Sequence, residues 1–118
     1  MSDDAGYILT EVWNARPSWL DLSAEARIEF FETKIGPLLG SLVGEGAEIV
    51  ACAVNDNTGS ERMDYQFMAV WRLPDKAFSD RLESAARGAG FLEYFEQVNF
   101  SGSSITPDVL NARMIELR

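Results

Sequence analysis

Arg62-Met63-Asp64-Tyr65-Gln66-Phe67-Met68-Ala69-Val70-Trp71-Arg72-Leu73 is the stretch on which the fold turns. Its β-branched and aromatic content reads as a strand. Side chains of a strand alternate between faces, so Met63, Tyr65, Phe67, Ala69 and Trp71 form one row, apolar throughout and assigned to a helix-covered core. The opposite row, Arg62, Asp64, Gln66, Met68, Val70 and Arg72, is polar at its ends and apolar in its middle. A sheet with one face in water alternates apolar with polar. This one is apolar on both sides.

The preceding segment behaves alike. Glu48 to Asn55 reads as a strand with Val50, Cys52 and Val54 on one side and Ile49, Ala51 and Ala53 on the other. Asp56-Asn57-Thr58-Gly59-Ser60 between the two strands is turn chemistry, and the pair makes a hairpin.

Further out, Tyr7 to Trp13 is the first strand, and Asn14 to Trp19 a loop, because Pro17 and the residue before it resist helix. Ser23 caps a first long helix whose core stripe is Ile28, Phe31, Ile35, Leu38 and Leu42, with a kink expected at Gly36-Pro37. Leu73-Pro74-Asp75 opens a second, with Phe78, Leu82, Ala85, Ala86 and Ala89 on one face. A short helical turn at Phe91–Tyr94 leads to a fourth strand around Gln97–Ser101. Thr106-Pro107-Asp108 starts a last helix reaching about Leu117, with Val109, Leu110, Met114 and Leu117 as its apolar side. The order βαββαβ plus a terminal helix predicts an α+β, ferredoxin-like sandwich with strand order 4-1-3-2 and both long helices on one face.

The other sheet face then needs its own cover. A second copy of the chain supplies one; a tighter wrap by the C-terminal helix is the alternative. The expectation is a homodimer built from one domain over 1–118, with residues 1–5 flexible.

The 118 residues carry ten Lys and Arg against nineteen Asp and Glu, a net charge of −9, and the basic residues are not clustered. That disfavours nucleic acid and anionic membrane surfaces as partners. Histidine is absent and there is one cysteine, so no disulfide and no Cys-cluster metal site is expected. No export signal or membrane-spanning run is seen, and the free thiol suggests a cytoplasmic protein. No cofactor is implied.

Phe30-Phe31-Glu32-Thr33-Lys34-Ile35-Gly36-Pro37, Cys52-Ala53-Val54-Asn55-Asp56, Ala69-Val70-Trp71 and Phe91 to Asn99 resemble the dimeric α+β barrel superfamily, and within it an uncharacterised bacterial branch. The resemblance implies ferredoxin-like dimers whose sheets close into a barrel. It embraces cofactor-independent monooxygenases, haem-degrading enzymes, chlorite dismutase-like proteins and muconolactone isomerase-like enzymes. Its haem-binding members use an axial histidine, which this chain does not possess.

In the 4-1-3-2 sheet one end collects Trp13, Asn14 and Arg16, Asn55 and Asp56, Arg62 and Asp64, and Gln97 and Asn99. Trp13, Asn14, Asn55, Arg62, Asp64 and Gln97 are therefore the candidate ligand-binding residues. The same Asn and Asp residues are what a tight hairpin needs, and Asp64 and Gln66, read as pointing from mid-strand into the barrel, would equally suit hydrogen bonding across a dimer. The function expected is a homodimeric module binding a small apolar or aromatic molecule. The alternatives are a cofactor-independent monooxygenase or isomerase, with Asp64, Tyr65 or Tyr94 moving a proton and Arg62 and Asn55 steadying an oxyanion, and a purely structural dimer.

Overall fold

Four strands build one antiparallel sheet: β1 (Tyr7–Ala15), β2 (Glu48–Val54), β3 (Phe67–Leu73) and β4 (Phe95–Ser103), in the order β2-β3-β1-β4. The computed structural model describes residues 6–57 and 59–117, so Thr58, Arg118 and residues 1–5, with the flexibility expected of them, lie outside it. The ferredoxin-like order expected from the sequence is the one observed.

Pairing sets the faces. Tyr7, Leu9, Glu11 and Trp13 of β1 stand opposite Leu73, Trp71, Ala69 and Phe67 of β3. These rows look toward the helices, where Leu9, Trp71 and Leu73 join Leu42, Ala47, Phe78 and Leu82 in the buried core. Between Ile49 and Ala51 the register of β2 slips by one residue. The bulge turns Ile49, opposite Trp71, and Cys52, opposite Ala69, to the same side. Strict alternation over 49–54 had put these two on opposite faces.

The helical layer begins with α1 (Pro17–Leu20), in a stretch expected to be a loop. Proline fits there because the first helical residue has no N–H to contribute. The Ser23 hydroxyl accepts from the Ala26 amide and starts α2 (Ala24–Phe30). A π-helical turn at Phe31–Ile35 joins it to α3 (Gly36–Gly44). The kink thus falls one turn ahead of Pro37, which has no N–H for the helical ladder, and the Gly36 amide reaches back to the Phe31 carbonyl. A Cβ at Gly36 would stand 3.0 Å from that oxygen, so the wide turn needs glycine for its close approach.

Asp75 caps α4 (Lys76–Gly88) by accepting from the Phe78 amide at 2.8 Å. Gly90, at φ +92°, reverses the chain into α5 (Phe91–Tyr94), which feeds β4. Thr106 caps α6 (Pro107–Ile115).

Three expectations change. The third strand starts at Phe67 rather than Arg62, leaving Met63 61% exposed instead of in the core. Ile28 leaves the core stripe at 55% exposure, because the π turn rotates α2 relative to α3. The apolar side of α6 covers nothing: Met114 and Ile115 are 55% and 83% exposed, and no residue of the helix is buried.

The sheet face away from the helices, carrying Val12, Val70 and Met68 with Val98 and Phe100, is open along β4, where Phe100 is 74% exposed. The radius of gyration, 16.4 Å, exceeds the roughly 13–14 Å of a compact chain this long. No helix among the described residues is long and apolar enough to cross a membrane.

Candidate functional site

Between the helix-facing side of the sheet and the helices lies a cavity of about 220 Å³. The sheet supplies its floor: Glu11 and Trp13 from β1, Ala69 and Trp71 from β3, Gln97 from β4, and Ile49 and Cys52 from β2. The π turn and α3 supply the roof with Phe31, Ile35, Leu38 and Leu42. Leu82 and Ala86 of α4 and Phe91 of α5 close the sides. The walls are almost entirely apolar.

The exception is Glu11. It is 8% exposed, in a β1 row with Tyr7, Leu9, Trp13 and Ala15. Each of its oxygens accepts a hydrogen bond: Oε1 from the Trp71 indole at 2.8 Å, Oε2 from the Gln97 amide at 2.7 Å. Gln97 also donates to Asn99 Oδ1 at 2.7 Å, which fixes the orientation of its amide. Burial pushes the Glu11 carboxyl above its ordinary value of 4.5; the hydrogen bonds from Trp71 and Gln97 pull it back in part, and the Glu83 carboxylate pushes it up again. A carboxyl group facing an apolar hollow, held by two fixed donors, is a built polar spot and not a chance surface carboxylate.

Aromatic packing frames one end. Trp13 meets Phe91 edge-on at 5.8 Å, and Phe91 stacks on Phe95 at 4.5 Å. Beyond them Trp19 gathers Phe30, Phe31, Tyr94 and Phe95, all within 5.8 Å. These contacts lock α1, α2 and α5 onto the start of β4, and so set where Phe31 and Phe91 enter the cavity wall.

Of the six residues proposed from sequence, Trp13 and Gln97 line this cavity, paired across β1 and β4. The other four stand elsewhere. Asn14 Nδ2 donates to the Asp64 carbonyl and its Oδ1 accepts from the Gln66 amide. Asn55 Nδ2 donates to the carbonyls of Met63 and Tyr65, both at 2.9 Å, and Oδ1 accepts from the Asn57 amide. Both asparagines are spent on the backbone of the β2–β3 connection. Arg62 and Asp64 are exposed within it.

Asp64 and Gln66 precede the strand and do not project from its middle. Gln66 Oε1 instead accepts from the Ala15 amide at 2.8 Å. The side chains of Asn14, Asn55 and Gln66 bond to backbone where the chain leaves the sheet, beside the last backbone bonds from Asn55 to Gln66 and from Gln66 to Trp13. Arg16 donates to the Leu92 carbonyl, and Tyr94 packs in the Trp19 cluster. Asn99 belongs to the polar spot through Gln97. Glu11 was not singled out from the sequence, although a carboxylate interrupting the row Tyr7, Leu9, Trp13 was the available signal.

Among the described residues no cluster of His, Cys, Asp and Glu is arranged to hold a metal ion. Solved structures with this fold include a chlorite dismutase candidate, 18% identical with TM-score 0.68, matched over 89% of this chain and 46% of that one. A doubly substituted chlorite dismutase from Candidatus Nitrospira defluvii, 13% identical with TM-score 0.69, is matched over 97% and 49%. A protein of unknown function from Rhodopseudomonas palustris, 15% identical with TM-score 0.59, is matched over 90% and 88%. At such identities the likeness shows the fold alone, and the chain spans about half the length of the first two. A comparison with the curated proteins finds no match.

A haem does not fit the residues present. The cavity is below the roughly 300–1,000 Å³ of pockets for drug-sized ligands, and no histidine exists to ligate iron. The most specific likeness is in sequence: one family model matches residues 6–117, and the chain belongs to the Family of unknown function DUF6616.

Proposed function

We propose that this chain is a homodimeric α+β-barrel module that binds a small, largely apolar molecule in the cavity between sheet and helices. The observation that carries the reading is a hollow of about 220 Å³ with apolar walls and one buried, hydrogen-bonded carboxyl group. Apolar pockets with a few convergent polar groups are where small molecules are usually bound.

Dimerisation draws support from the uncovered side of the sheet. Val98 and Phe100 lie open on it, and α6, which follows β4 and has no buried residue, leaves them uncovered. The two chlorite dismutase-type structures, about twice this chain's length, have room in one polypeptide for two such units. The exposed free Cys52 suits a reducing, cytoplasmic setting.

Glu11 favours a second reading, a cofactor-independent isomerase. A carboxyl of raised proton affinity on the wall of an apolar pocket is the kind of group that moves protons. Asp64, Tyr65, Arg62 and Asn55 are absent from that wall, and Tyr65 and Asn55 line a separate hollow.

The test is a thermal-shift screen of the purified protein against a metabolite library, since a ligand that binds only the native state raises its melting temperature. Hits are repeated on Leu38→Trp, which fills the cavity. Stabilisation of the wild type and its loss in the variant supports binding there; no hit, or hits unaffected by the filling, removes the reading. Turnover of a hit by the wild type, lost in Glu11→Gln, would separate enzyme from carrier.

A further inference from the structure

Glu11 brings a carboxyl group into the cavity, and the cavity provides no cation beside it. The helical roof contributes only apolar side chains, Phe31, Ile35, Leu38, Leu39 and Leu42, and among the described residues neither Lys nor Arg lines the space. Cys52 is the other titratable lining group, on the β2 side. From α4, Glu83 and Arg87 face a separate hollow of about 70 Å³ behind Gln97 and Ala86, which Asn99 also lines. Glu83 adds negative charge to the field at Glu11.

Both carboxylate oxygens take N–H donors, from Trp71 and Gln97, and the protein provides the group with no cation at that spot. The rings of Trp13, Trp71, Phe31 and Phe91 line the same cavity, and the faces of such rings are negatively polarised. The whole chain, at −9, adds to the same field.

We propose that the ligand of this cavity is a small aromatic or apolar molecule carrying a cationic amine, its ammonium group paired with Glu11 and its ring held among the aromatic side chains. The inference rests on the ligand-binding reading above and adds the charge of the headgroup. An ammonium donates to oxygen lone pairs that the two protein donors leave over, and meets the carboxylate away from water, where Coulomb attraction is strong. A carboxylate ligand meets the reverse. As to size, cavities of about 150 Å³ admit benzene, so this one has room for one ring and a short arm. The raised proton affinity of Glu11 agrees with a group awaiting a counter-ion.

Phenethylamine, phenethyl alcohol and phenylacetate, alike in shape and different in charge, are the probes. Binding to the full chain is read by titration calorimetry and by the fluorescence of Trp13 and Trp71. The amine is expected to bind roughly ten-fold or more tightly than the alcohol, and phenylacetate more weakly than either. In Glu11→Gln the amine's advantage disappears while the alcohol still binds. Wild-type protein gives the same readout without a variant: acidification that protonates Glu11, the amine staying cationic, abolishes the preference and spares the alcohol. Equal binding of amine and alcohol, tighter binding of phenylacetate, or a preference that survives both Glu11→Gln and acidification overturns the proposal and leaves ligand binding standing. Binding of none of the three overturns the proposal together with the cavity's role as a site for one-ring ligands.

Discussion

Glu11 shows how one residue can be costly to the fold and useful to the site. Its carboxyl is taken out of water, and two hydrogen bonds repay only part of that, so its proton affinity is raised above the ordinary 4.5. The native chain therefore holds this proton more tightly than the unfolded one. Stability on account of Glu11 is highest below the unfolded value, falls as pH rises through the window up to the raised native value, and is level above it. Comparing denaturant unfolding of wild type and Glu11→Gln across pH 4 to 8 isolates this contribution. The wild type should lose stability relative to the variant across that window, by at most about 1.4 kcal/mol per pH unit. A pH-independent difference would mean the carboxyl is not buried as described.

Elements differ in how openly the sequence displays them. Helix starts were plain, because Ser23 and Thr106 stand before helices as capping hydroxyls and Asp75 closes the Leu73-Pro74-Asp75 opening, and each accepts a first-turn amide. The βαββαβ order followed from strands and helices of unlike periodicity. The bulge at β2 was hidden, since Ile49-Val50-Ala51-Cys52 is apolar at every position and no polar residue marks where alternation slips. The start of β3 was hidden too: Asn14 and Asn55 act on backbone fifty and ten residues away, which no local pattern displays. Of the site, Trp13 and Gln97 were legible as partners across the sheet, while Glu11 passed as one residue of a strand. The β2–β3 connection accordingly predicts a separation of effects. Asn55→Ala frees the carbonyls of Met63 and Tyr65 from their donor and should destabilise by about 1–3 kcal/mol in denaturant unfolding. It should leave probe affinity in the cavity unchanged at a temperature where the variant is folded. A large loss of affinity with little loss of stability would return Asn55 to the site.

At the scale of the whole molecule two surfaces lack a cover, and they come from the same end of the chain. β4 leaves Val98 and Phe100 open, and after three intervening residues α6 begins, with Val109, Leu110 and Met114 exposed as well. One polypeptide of 13.1 kDa that buries neither must meet water with both or meet another copy. In a two-fold dimer closed through the sheets, each Phe100 is removed from water by the partner, and a charge there would be buried without a counter-ion. Phe100→Asp should therefore shift sedimentation at micromolar concentration from twice the chain mass to a single chain. Because residue 100 lies on the face away from the cavity, the helix-side core and its circular dichroism should persist. A wild type that sediments as a single chain removes the dimer outright. A variant that stays dimeric would move the interface off the sheet and onto α6, where truncation after Ser104 gives the corresponding test.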